Sequence, residues 1–597
     1  MVSAKWLVKP DPGPAAEEIA KKLGVSRILA RILAQRTSPP TPENARIFLS
    51  ASLGVLVPPW LMNDMEKAAD RLVRAIRDRQ PAIVYGDYDA DGVTASALMI
   101  RACRAVGYSL DCRLPSRFED GYGISPDFPA QAIRAGTKLV ITVDCGTSEH
   151  ENIARLRDGG VDVIVSDHHE PGERGLPPGA CAVLNPKRVD SSYPFRELTG
   201  VGVAFKLAWA VYERLSGTKK IEPHLRKTLL SLLPLAAIGS IADVAPLVGE
   251  NRSIVAQGLR EMRNSLPGIT ALLEVCRLEN QELTARHVAF LLAPRLNAAG
   301  RMGAADAALE LLIDDDPAHA RAMAAALDRQ NSERQALCQS IVEEATSEAE
   351  KNGVSDAPAV VVARDDWHEG VIGIVAGRLA EKFSKPAAVI AFPGGQYLGR
   401  GSARSANGLN LYQVMADSAA HLMSFGGHEL AAGFTLSRDK MPAFRESFLK
   451  GCESQTRRNR IGPALWIDME IGISDLNLRL IRELDFLCPL GHGNPEPKFM
   501  IRCVRMAGLP QLSRGQVGNF HFNVSQAGTS FRAVAFGRPD LLSLLEAAGR
   551  RPIDIVFTPE LNRYFSPPRL ELRVEDLRPS ESVRENISPV FPRMTRS

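Results

Sequence analysis

Paired cysteines are missing from this chain of 597 residues, because its nine cysteines stand singly with no C-x-x-C motif. This spacing argues against a zinc ribbon or a disulfide framework and fits reduced thiols. The opening residues, MVSAKWLVKPDPGP, lack the apolar core of a secretory signal, so we expect none. The longest apolar stretch, TLLSLLPLAAIGSIA (228–242), contains a proline and is too short to span a bilayer. These absences predict a soluble, cytoplasmic protein without a membrane segment.

An excess of one charge sign is also missing. The 72 basic and 69 acidic residues leave a net charge of +3. A balanced total does not exclude nucleic acid as a partner, because a basic groove can be local. With 45% hydrophobic and 24% charged residues the composition is that of an ordinary globular protein. The length predicts about three separate cores.

Apolar runs alternate with helical patterns in the first half of the chain. The runs are AIVYG (82–86), KLVITVD (138–144), VDVIVSD (161–167) and ACAVLNP (180–186). Continuous apolar strands separated by helices predict a parallel sheet that is covered on both faces. Further on, Asp316 and Pro317 have the types expected at a helix N-cap and first position, and the pattern continues unbroken to Lys351. This long helix would join two lobes.

A second α/β pattern starts at APAVVVARDD, and short strands typical of a small β-barrel start near Leu465. We therefore expect an α/β protein with a terminal barrel. Its predicted parts are an N-terminal helical region (1–75), a parallel-sheet domain (76–315), a connecting helix (316–352), a smaller α/β domain (353–460), a β-barrel resembling an OB fold (461–580) and a disordered tail (581–597).

The first three predicted strands each end in acidic residues. Because the carboxyl ends of parallel strands meet at one edge of a sheet, we expect these residues to converge. The motif GSIADVAP adds one more acid from a helical region. The candidate residues are Asp87, Asp89 and Asp91 after the first strand, Asp144 after the second, Asp167, His168 and His169 after the third, and Asp243.

Any one of these acids, Asp144 included, could simply cap a helix. Independent caps explain the whole set poorly, since two histidines directly follow an acid at a strand edge. Oxygen and imidazole ligands without cysteine favour Mn²⁺ or Mg²⁺ over zinc. Several shared carboxylates can hold two divalent ions, which suits phosphoryl chemistry.

The motifs GDYDADG, VDCG, SDHH and GSIADVAPL resemble, in this order, the four signatures of the DHH phosphoesterase superfamily. Two later motifs, APRLNAAGRMG and FGGHELAAGF (425–434), resemble those of its RecJ branch, the single-strand-specific 5′ exonucleases of bacterial recombination and repair. The glycine-rich GGHELAAGF resembles the core of the DHHA1 domain. The resemblance covers residues 40 to 580 approximately and implies DHH and DHHA1 domains joined by the long helix.

The resemblance also implies the ligands of two divalent ions: Asp87, Asp89, Asp144, His168 and Asp243. It implies that Asp144 bridges the ions and that His169 contacts the scissile phosphate or orients a ligand. Asp91 is left open: it either contacts a metal, caps the helix near Val93 or orients a neighbour.

Nucleic-acid contacts are expected in four segments. In RLPSRFEDGYG (113–123) the resemblance favours a backbone contact by Arg117, and a surface loop is the alternative. Arginine forks and glycine-rich backbone suit phosphate binding. For the histidine in GGH, the alternative is a buried structural role. For the asparagine in RLNAAGR, the alternative is helix capping. The remaining candidates are Arg295, Asn297 and Arg301, then Ser402 and Arg404 for the 5′ phosphate, and Gly427 and His428.

The aromatics of the terminal barrel have two interpretations. The alternation of aromatic and polar residues fits either stacking platforms for bases or the core of the barrel. The aromatics concerned are Phe520, Phe522, Phe531 and Phe536. We expect most of them to be core.

The resemblance implies a monomeric 5′-to-3′ exonuclease that degrades single-stranded DNA to mononucleotides, with a helicase and a single-strand-binding protein as partners. One alternative is a DHH phosphodiesterase acting on short oligonucleotides or cyclic dinucleotides, although such chains are usually shorter and lack the barrel. A catalytically inactive replication scaffold is disfavoured, because every expected acid is present.

Overall fold

A computed structural model describes residues 5–116, 123–218, 220–301, 305–459, 464–513, 518–549 and 551–580. The strands are β1 (Lys5–Val8), β2 (Ala82–Tyr85), β3 (Asp111–Arg113), β4 (Leu139–Val143), β5 (Asp162–Ser166), β6 (Ala182–Leu184), β7 (Val360–Arg364), β8 (Ala387–Ala391), β9 (Leu398–Arg404), β10 (Ser424–Gly427), β11 (Ala431–Ser437), β12 (Ala464–Ile467), β13 (Met469–Glu470), β14 (Phe499–Leu512), β15 (Phe520–Gln526), β16 (Thr529–Ala535), β17 (Ile553–Asn562) and β18 (Arg569–Pro579).

The α-helices are α1 (Pro14–Leu23), α2 (Arg27–Arg36), α3 (Pro42–Ser50), α4 (Met65–Arg77), α5 (Ala90–Arg104), α6 (Phe128–Arg134), α7 (His150–Asp158), α8 (Gly200–Ser216), α9 (Pro223–Ser231), α10 (Leu233–Ala242), α11 (Gly249–Glu261), α12 (Pro267–Val275), α13 (Ala285–His287), α14 (Ala293–Arg301), α15 (Ala305–Ile313), α16 (Pro317–Lys351), α17 (Ile372–Phe383), α18 (Leu411–Asp417), α19 (Met441–Asn459), α20 (Leu478–Asp485) and α21 (Pro539–Ala548). The predicted tail, 581–597, lies outside the described residues.

The chain divides into two compact units. The first consists mainly of Ser50–Pro463, with Pro489–Pro495 added from later in the chain. The second combines Ser3–Leu49, Ala464–Cys488 and the chain from Glu496 onward.

The first sheet of the first unit is parallel throughout, with the strand order β3-β2-β4-β5-β6. The four apolar runs form β2, β4, β5 and β6, as their composition predicts. Helices α5, α8 and α10 pack together in the core on one face, and α6 and α7 contribute to the apolar cluster on the other. The edge strand β3 escapes prediction because its three residues, DCR, are too short and polar to form a pattern.

The long helix α16 confirms the prediction from its terminal residues. Asp316 caps it by accepting a hydrogen bond from the Ala318 amide at 2.9 Å. Its first half contributes Ala320 and Leu327 to the core of the parallel-sheet region. Its second half contributes Ile341 to a different core that includes β7, β8 and α17. The helix therefore connects two hydrophobic cores within one unit.

The second sheet of this unit has the order β10-β11-β9-β8-β7. Only the pair β7–β8 is parallel among the described pairings of this sheet. One face packs on α16 and α17, and the other packs on α18 and α19.

The second unit contains a closed barrel. Strand β14 pairs with β15, β15 with β16, β16 with β18 and β18 with β17, and β17 returns to pair with β14. This five-stranded closure confirms the predicted barrel and leaves few exposed edges. The N-terminal region, predicted as helical, also supplies β1, which pairs in parallel with β12 in the same unit.

One stretch of the described chain, Pro223–Ala242, is long and apolar enough to cross a membrane by length and composition alone. In the fold it forms two helices, α9 and α10, and 67% of its apolar window is buried inside the protein. Packing in the core accounts for its apolar character.

Candidate active site

The carboxyl edge of the parallel sheet gathers the predicted acids and histidines. Asp87 follows β2, Asp144 follows β4 and His168 follows β5, and all three are buried, with exposures of 4%, 2% and 7%. Asp144 has a left-handed backbone conformation with φ of 62°, which is uncommon for residues other than glycine. Its amide donates to the Ser166 carbonyl of β5 at 2.9 Å. The sheet therefore fixes Asp144 in an unfavourable conformation between the other two.

Ligand atoms converge around Asp144 and His168. The His168 Nε2 atom lies 3.1 Å from Asp144 Oδ1, 3.9 Å from Asp243 Oδ2 and 4.0 Å from Asp91 Oδ2. Three overlapping sets of side chains each have ligand atoms within 4.8 Å of one another: Asp87, Asp89 and Asp144; Asp144, His168 and His169; Asp91, His168 and Asp243. The convergence expected from the sequence is present, and Asp144 and His168 each belong to two sets.

Burial and mutual repulsion disfavour the charged forms of four of these acids, Asp87, Asp91, Asp144 and Asp243. Burial, followed by the charge of Asp89, raises the pKa of Asp87 to about 8 and that of Asp243 to about 7. Burial and neighbouring carboxylates also raise the pKa values of Asp91 and Asp144 well above their ordinary range. Burial lowers the pKa of His168 to about 3. The cluster is electrostatically unfavourable without a cation.

The residues present fit divalent metal ions. In the described part of the chain, Asp144 Oδ1 and His168 Nε2 are buried without a hydrogen-bond partner. Buried polar atoms of this kind require an explanation, and a bound cation supplies one. His168 is neutral at physiological pH, which is the form that ligates metals. Carboxylate oxygens with an imidazole and without cysteine suit Mn²⁺ or Mg²⁺.

Asp91 has a structural role that the sequence did not specify. Its Oδ2 accepts a hydrogen bond from the Gly200 amide at 2.7 Å, and its Oδ1 accepts from the Val201 amide at 3.0 Å. It therefore caps the start of α8. The helix near Val93 is instead capped by Asp89, which accepts from the Asp91 amide at 2.9 Å. The capping contacts of Asp91 are thus made at α8 and not at the helix near Val93, and its contact with a metal ion stays a prediction.

Asp167 orients the two histidines. It accepts hydrogen bonds from the His168 amide at 2.7 Å and from the Thr147 amide at 2.8 Å, and its Oδ1 lies 2.8 Å from His169 Nδ1. Burial alone would raise the pKa of Asp167, but the hydrogen bond and charge of His169 lower it overall. Burial would lower the pKa of His169, but Asp167 raises it to about 9. His169 is therefore a cation at neutral pH, and its half-exposed ring suits contact with an anion.

Asn185, just after β6, also orients this loop and was missed by sequence reasoning. Its Nδ2 donates to the His169 carbonyl at 2.8 Å and to Thr147 Oγ1 at 2.9 Å. The sequence gives no signal for this role, because a single asparagine after a strand forms no motif. Its partners, Thr147 and His169, follow other strands.

Helix α14 supports the loop that carries the first acids. Asn297 Oδ1 accepts a hydrogen bond from the Ala90 amide at 2.8 Å. A Cβ on Gly300 would lie 2.5 Å from the Tyr88 carbonyl oxygen, so only glycine permits this approach. Among the predicted phosphate-binding residues, Asn297 thus contacts protein backbone here. Because Ala90 is the first residue of α5, this contact also caps that helix, which was the alternative to a phosphate contact.

The two arginines of α14 connect it to its surroundings. Arg295 forms an ion pair with Asp328 of α16, with an Nη2–Oδ1 distance of 2.6 Å. Arg301 donates from Nη1 to the Gly370 carbonyl at 3.1 Å, just before α17. These contacts attach α14 to the connecting helix and to the second sheet region. The phosphate contacts predicted for Arg295 and Arg301 remain predictions.

Ser402 and Arg404 form a donor-rich face on β9. Alternate residues of this strand, Gly401 and Ala403, are buried, so Ser402 and Arg404 share the more exposed face. The amino end of α17 lies beside them: a Cβ on Gly373 would be 3.0 Å from Arg404 Nη2 and 3.1 Å from Ser402 Oγ. Serine, arginine and helix amides are the donors that bind terminal phosphates.

Glycines extend this face across the sheet. Gly433 is in register with Ser402, and Gly426 with Gly433; a Cβ on either glycine would meet open space. Gly427 and His428 are exposed, and His428 Nδ1 accepts a hydrogen bond from the Leu430 amide at 3.2 Å. The alternative of a buried histidine is wrong, because the turn after β10 is at the surface.

Two further predictions concern other parts of the chain. Arg117 lies outside the described residues.

In the barrel, Phe520 and Phe522 are buried, at 1% and 2% exposure, whereas Phe536 is 58% exposed. The preference for core over a stacking platform is confirmed for these two buried phenylalanines.

Models of three families match this chain. They are the DHH family N-terminal domain over residues 81–237, the DHHA1 domain over residues 356–453 and the RecJ OB domain over residues 467–576. The chain is therefore a DHH-family protein with DHHA1 and OB domains, as its fold and acidic centre indicate.

Relatives identify the branch. The chain is 33% identical to the single-stranded-DNA-specific exonuclease RecJ of Bacillus subtilis (strain 168), over 97% of this chain and 71% of that protein. It is 34% identical to the protein of the same name from Escherichia coli (strain K12), over 87% of this chain and 91% of that protein. The chain belongs to the RecJ family, which confirms the resemblance of its motifs.

Solved structures agree with this assignment. The crystal structure of RecJ from Thermus thermophilus in complex with Mn²⁺ matches with a TM-score of 0.81 at 30% identity, covering 97% of this chain and 80% of that one. The Mg²⁺ complex from the same organism matches with a TM-score of 0.75 at 28% identity, covering 97% and 79%. Together with the sheet orders, these matches confirm the predicted fold class.

The raised pKa values predict how stability depends on pH. Between pH 6.5 and about 9 the folded protein without metal binds more protons than the unfolded chain, through Asp87, Asp243 and His169. Its free energy of unfolding should therefore fall as pH rises through this window. Saturating Mn²⁺ should oppose this fall, because the deprotonated acids bind the ion. Denaturant titrations in EDTA and in Mn²⁺ at several pH values measure both effects.

The control for this prediction is Asp243→Asn, which removes one titrating group while other groups remain. Its metal-free stability should fall less steeply with pH than that of the wild type. An identical slope in the two proteins would contradict the assigned pKa values.

The close approach of α8 to Asp144 gives a second prediction. A Cβ on Gly200 would lie 2.4 Å from Asp144 Oδ1 and 2.5 Å from its Cβ, so Gly200→Ala must displace the carboxylate. We expect a loss of the Mn²⁺-induced thermal shift and a fall in activity of about 100-fold, the scale of a 1 Å misplacement. Gly377→Ala is the control, because a Cβ there meets nothing within 4 Å. Normal Mn²⁺ binding by Gly200→Ala would refute the tight packing.

Proposed function

We propose that this chain is a 5′-to-3′ exonuclease that hydrolyses single-stranded DNA to mononucleotides with two divalent ions, in recombination and repair. The buried cluster around Asp144 and His168 is the observation that carries the proposal, because its overlapping ligand sets suit a pair of ions with a shared carboxylate. Relatives named single-stranded-DNA-specific exonucleases support the substrate class.

We assign the metal-binding role to the acids and one histidine of the sheet edge. When bound, two divalent ions activate water and offset the charge of a phosphoryl group in displacement. Mn²⁺ and Mg²⁺ are the candidates, and the solved complexes of the Thermus thermophilus relative support both. The proposed ligands are Asp87, Asp89, Asp91, Asp144, His168 and Asp243.

His169 has the properties of a phosphate contact. It is held by Asp167, whose hydrogen bond and charge raise its pKa, and it is partly open to solvent. As a hydrogen-bond donor it would stabilise negative charge that develops on the scissile phosphate. With Asp144 and His168 it completes the proposed catalytic group.

Recognition of the 5′ end is assigned to the second sheet region. Ser402, Arg404 and the amino end of α17 offer hydroxyl, guanidinium and amide donors to a terminal phosphate. Arg117, Arg295, Asn297, Arg301, Gly427 and His428 are proposed to contact the strand elsewhere.

His368, which sequence reasoning missed, lies in the loop just before α17. Its Nδ1 accepts a hydrogen bond from the Gly370 amide at 3.1 Å. It precedes the amino end of α17, where Gly373 approaches Ser402 and Arg404, and this makes it a further candidate contact. The sequence signal that could have indicated this residue is a histidine and a glycine, His368 and Gly370, shortly before the start of α17.

The domain boundaries predicted from the sequence are part of this proposal: 1–75, 76–315, 316–352, 353–460, 461–580 and 581–597. The proposal also includes a monomeric state and a cytoplasmic location. Its proposed protein partners are a helicase and a single-strand-binding protein. The enzyme would need such partners because its proposed substrate arises when a duplex is unwound.

The proposal is tested with 5′- and 3′-labelled single-stranded and duplex DNA in Mn²⁺. We expect the 5′ label of the single strand to appear first, as a mononucleotide, with duplex digested far more slowly. Asp144→Ala should abolish digestion, because it removes the side chain shared by two ligand sets. Ser402→Ala with Arg404→Gln should reduce the preference for a 5′-phosphorylated end over a 5′-hydroxyl end.

Two outcomes would refute the proposal. Equal digestion by Asp144→Ala would show that hydrolysis does not use this centre. Cleavage of a dinucleotide as fast as a long oligonucleotide would favour a phosphodiesterase for short substrates.

A further inference from the structure

Lys187 lies just beyond β6, at the same sheet edge as the acidic cluster. Leu184, the last residue of β6, is in register with Ser166 at the end of β5. Loops that follow these two strands therefore project from the same edge. The loops after β2, β4 and β5 bring acids to this edge, whereas the loop after β6 brings a lysine.

Asn185 fixes the Lys187 backbone to the histidine loop. The Asn185 side chain is fully buried; its Oδ1 accepts a hydrogen bond from the Lys187 amide at 2.8 Å, and its Nδ2 donates to the His169 carbonyl at 2.8 Å. Arg196 donates from Nη2 to the Lys187 carbonyl at 2.8 Å. The lysine is therefore held on a rigid turn beside His169.

The Lys187 side chain is available, unlike that of its neighbour. Its Nζ lies 3.7 Å from Oε1 of Glu170; the lysine side chain is 21% exposed and the glutamate side chain 73%. An ion pair of this length with one largely exposed partner is weak. By contrast, Arg188 is held by Asp64 at 2.8 Å and by Asp190 at 2.6 Å. A ligand phosphate can therefore replace Glu170 as the partner of Lys187 without breaking a strong contact.

The Lys187 charge reaches the acidic cluster. Burial is the main influence on the pKa of His168 and of Asp243, and Lys187 is among the charges that lower both. This influence agrees with the position of the lysine at the sheet edge.

The charge of the site creates a need for such a cation. Asp87, Asp89, Asp91, Asp144 and Asp243 carry five negative charges when ionised. Two divalent ions supply four positive charges, which leaves an excess of one negative charge among these groups. Positive side chains at the same edge favour the approach of a phosphodiester, and Lys187 is one of them.

We propose that Lys187 is a substrate-binding residue whose ammonium group exchanges Glu170 for a phosphate oxygen of the nucleic-acid strand at the metal edge. The proposal rests on the proposed exonuclease function and adds a contact to it. Lys187 acts on the affinity for the strand, while the acids and His168 hold the ions.

The test is the salt dependence of digestion by Lys187→Gln and Lys187→Arg. Each phosphate contact to a single strand contributes about 0.7 to the slope of log affinity against log salt. In Mn²⁺, Lys187→Gln should raise KM for a single-stranded oligonucleotide and make the slope of log kcat/KM shallower by about 0.7. Lys187→Arg should retain most of the wild-type slope, because it keeps the charge.

Lys138→Gln is the matched control, since Lys138 is an exposed lysine at the opposite, amino end of β4. It removes the same charge and should leave KM and slope unchanged. The Mn²⁺-induced thermal shift should be the same in Lys187→Gln as in the wild type, which shows that the ion site is intact.

Three outcomes would overturn the proposal. The first is an unchanged KM and slope in Lys187→Gln, and the second is an equal change in Lys138→Gln. The third is an altered Mn²⁺-induced thermal shift in Lys187→Gln with an unchanged salt slope. This result would mean that Lys187 only offsets the negative charge of the acids. A wild-type protein that digests no single-stranded DNA would overturn the proposed function as well, so the two failures are distinguishable.

Discussion

Repulsion among buried carboxylates at one sheet edge is the constraint on which the rest of the site depends. Five acids approach one another around Asp144 and His168. The surroundings disfavour the charged forms of four of them, Asp87, Asp91, Asp144 and Asp243. Helix ends compensate part of this cost, since Asp89 is the N-cap of α5 and Asp91 accepts hydrogen bonds from the first two amides of α8. Amide donors and the positive ends of helix dipoles stabilise carboxylates. Divalent cations would supply the rest.

Close packing makes this arrangement rigid. Gly200 allows α8 to approach Asp144, and Gly239 allows α10 to approach Asp91. The first acidic loop is also supported from behind by Asn297 of α14. Metal ligands must keep their positions to within fractions of an ångström, and these contacts hold them from three helices. The cost of the strained Asp144 backbone is met by this surrounding structure.

The connecting helix relates the acidic centre to the donor-rich face of the second sheet. Helix α16 contributes to both hydrophobic cores, and α14 contacts α16 through the Arg295–Asp328 ion pair. Arg301 continues this chain of contacts to the loop before α17. An exonuclease that takes single nucleotides from an end needs a fixed distance between the terminal phosphate and the cleaved bond. A continuous helix is a stiff way to set that distance.

Much of the fold and of the metal centre could be predicted from the chain. Apolar runs that end in acids identified β2, β4 and β5, and the rule that parallel strands share an edge predicted the convergence of Asp87, Asp144 and His168. Local signals at Asp316 and Pro317 identified the start of α16. These predictions succeeded because strand, cap and helix patterns depend on neighbours in sequence.

By itself, the sequence determined the elements, the acids at the strand ends and the family to which the motifs belong. Tertiary structure alone decided which helix Asp91 caps, because its partner Gly200 is 109 residues away. It also decided that Asn297 supports the acidic loop from 207 residues away and that Asn185 links the Lys187 backbone to the His169 loop. Hydrogen bonds between distant segments depend on how strands and helices pack in space, and no local pattern of residues records that packing.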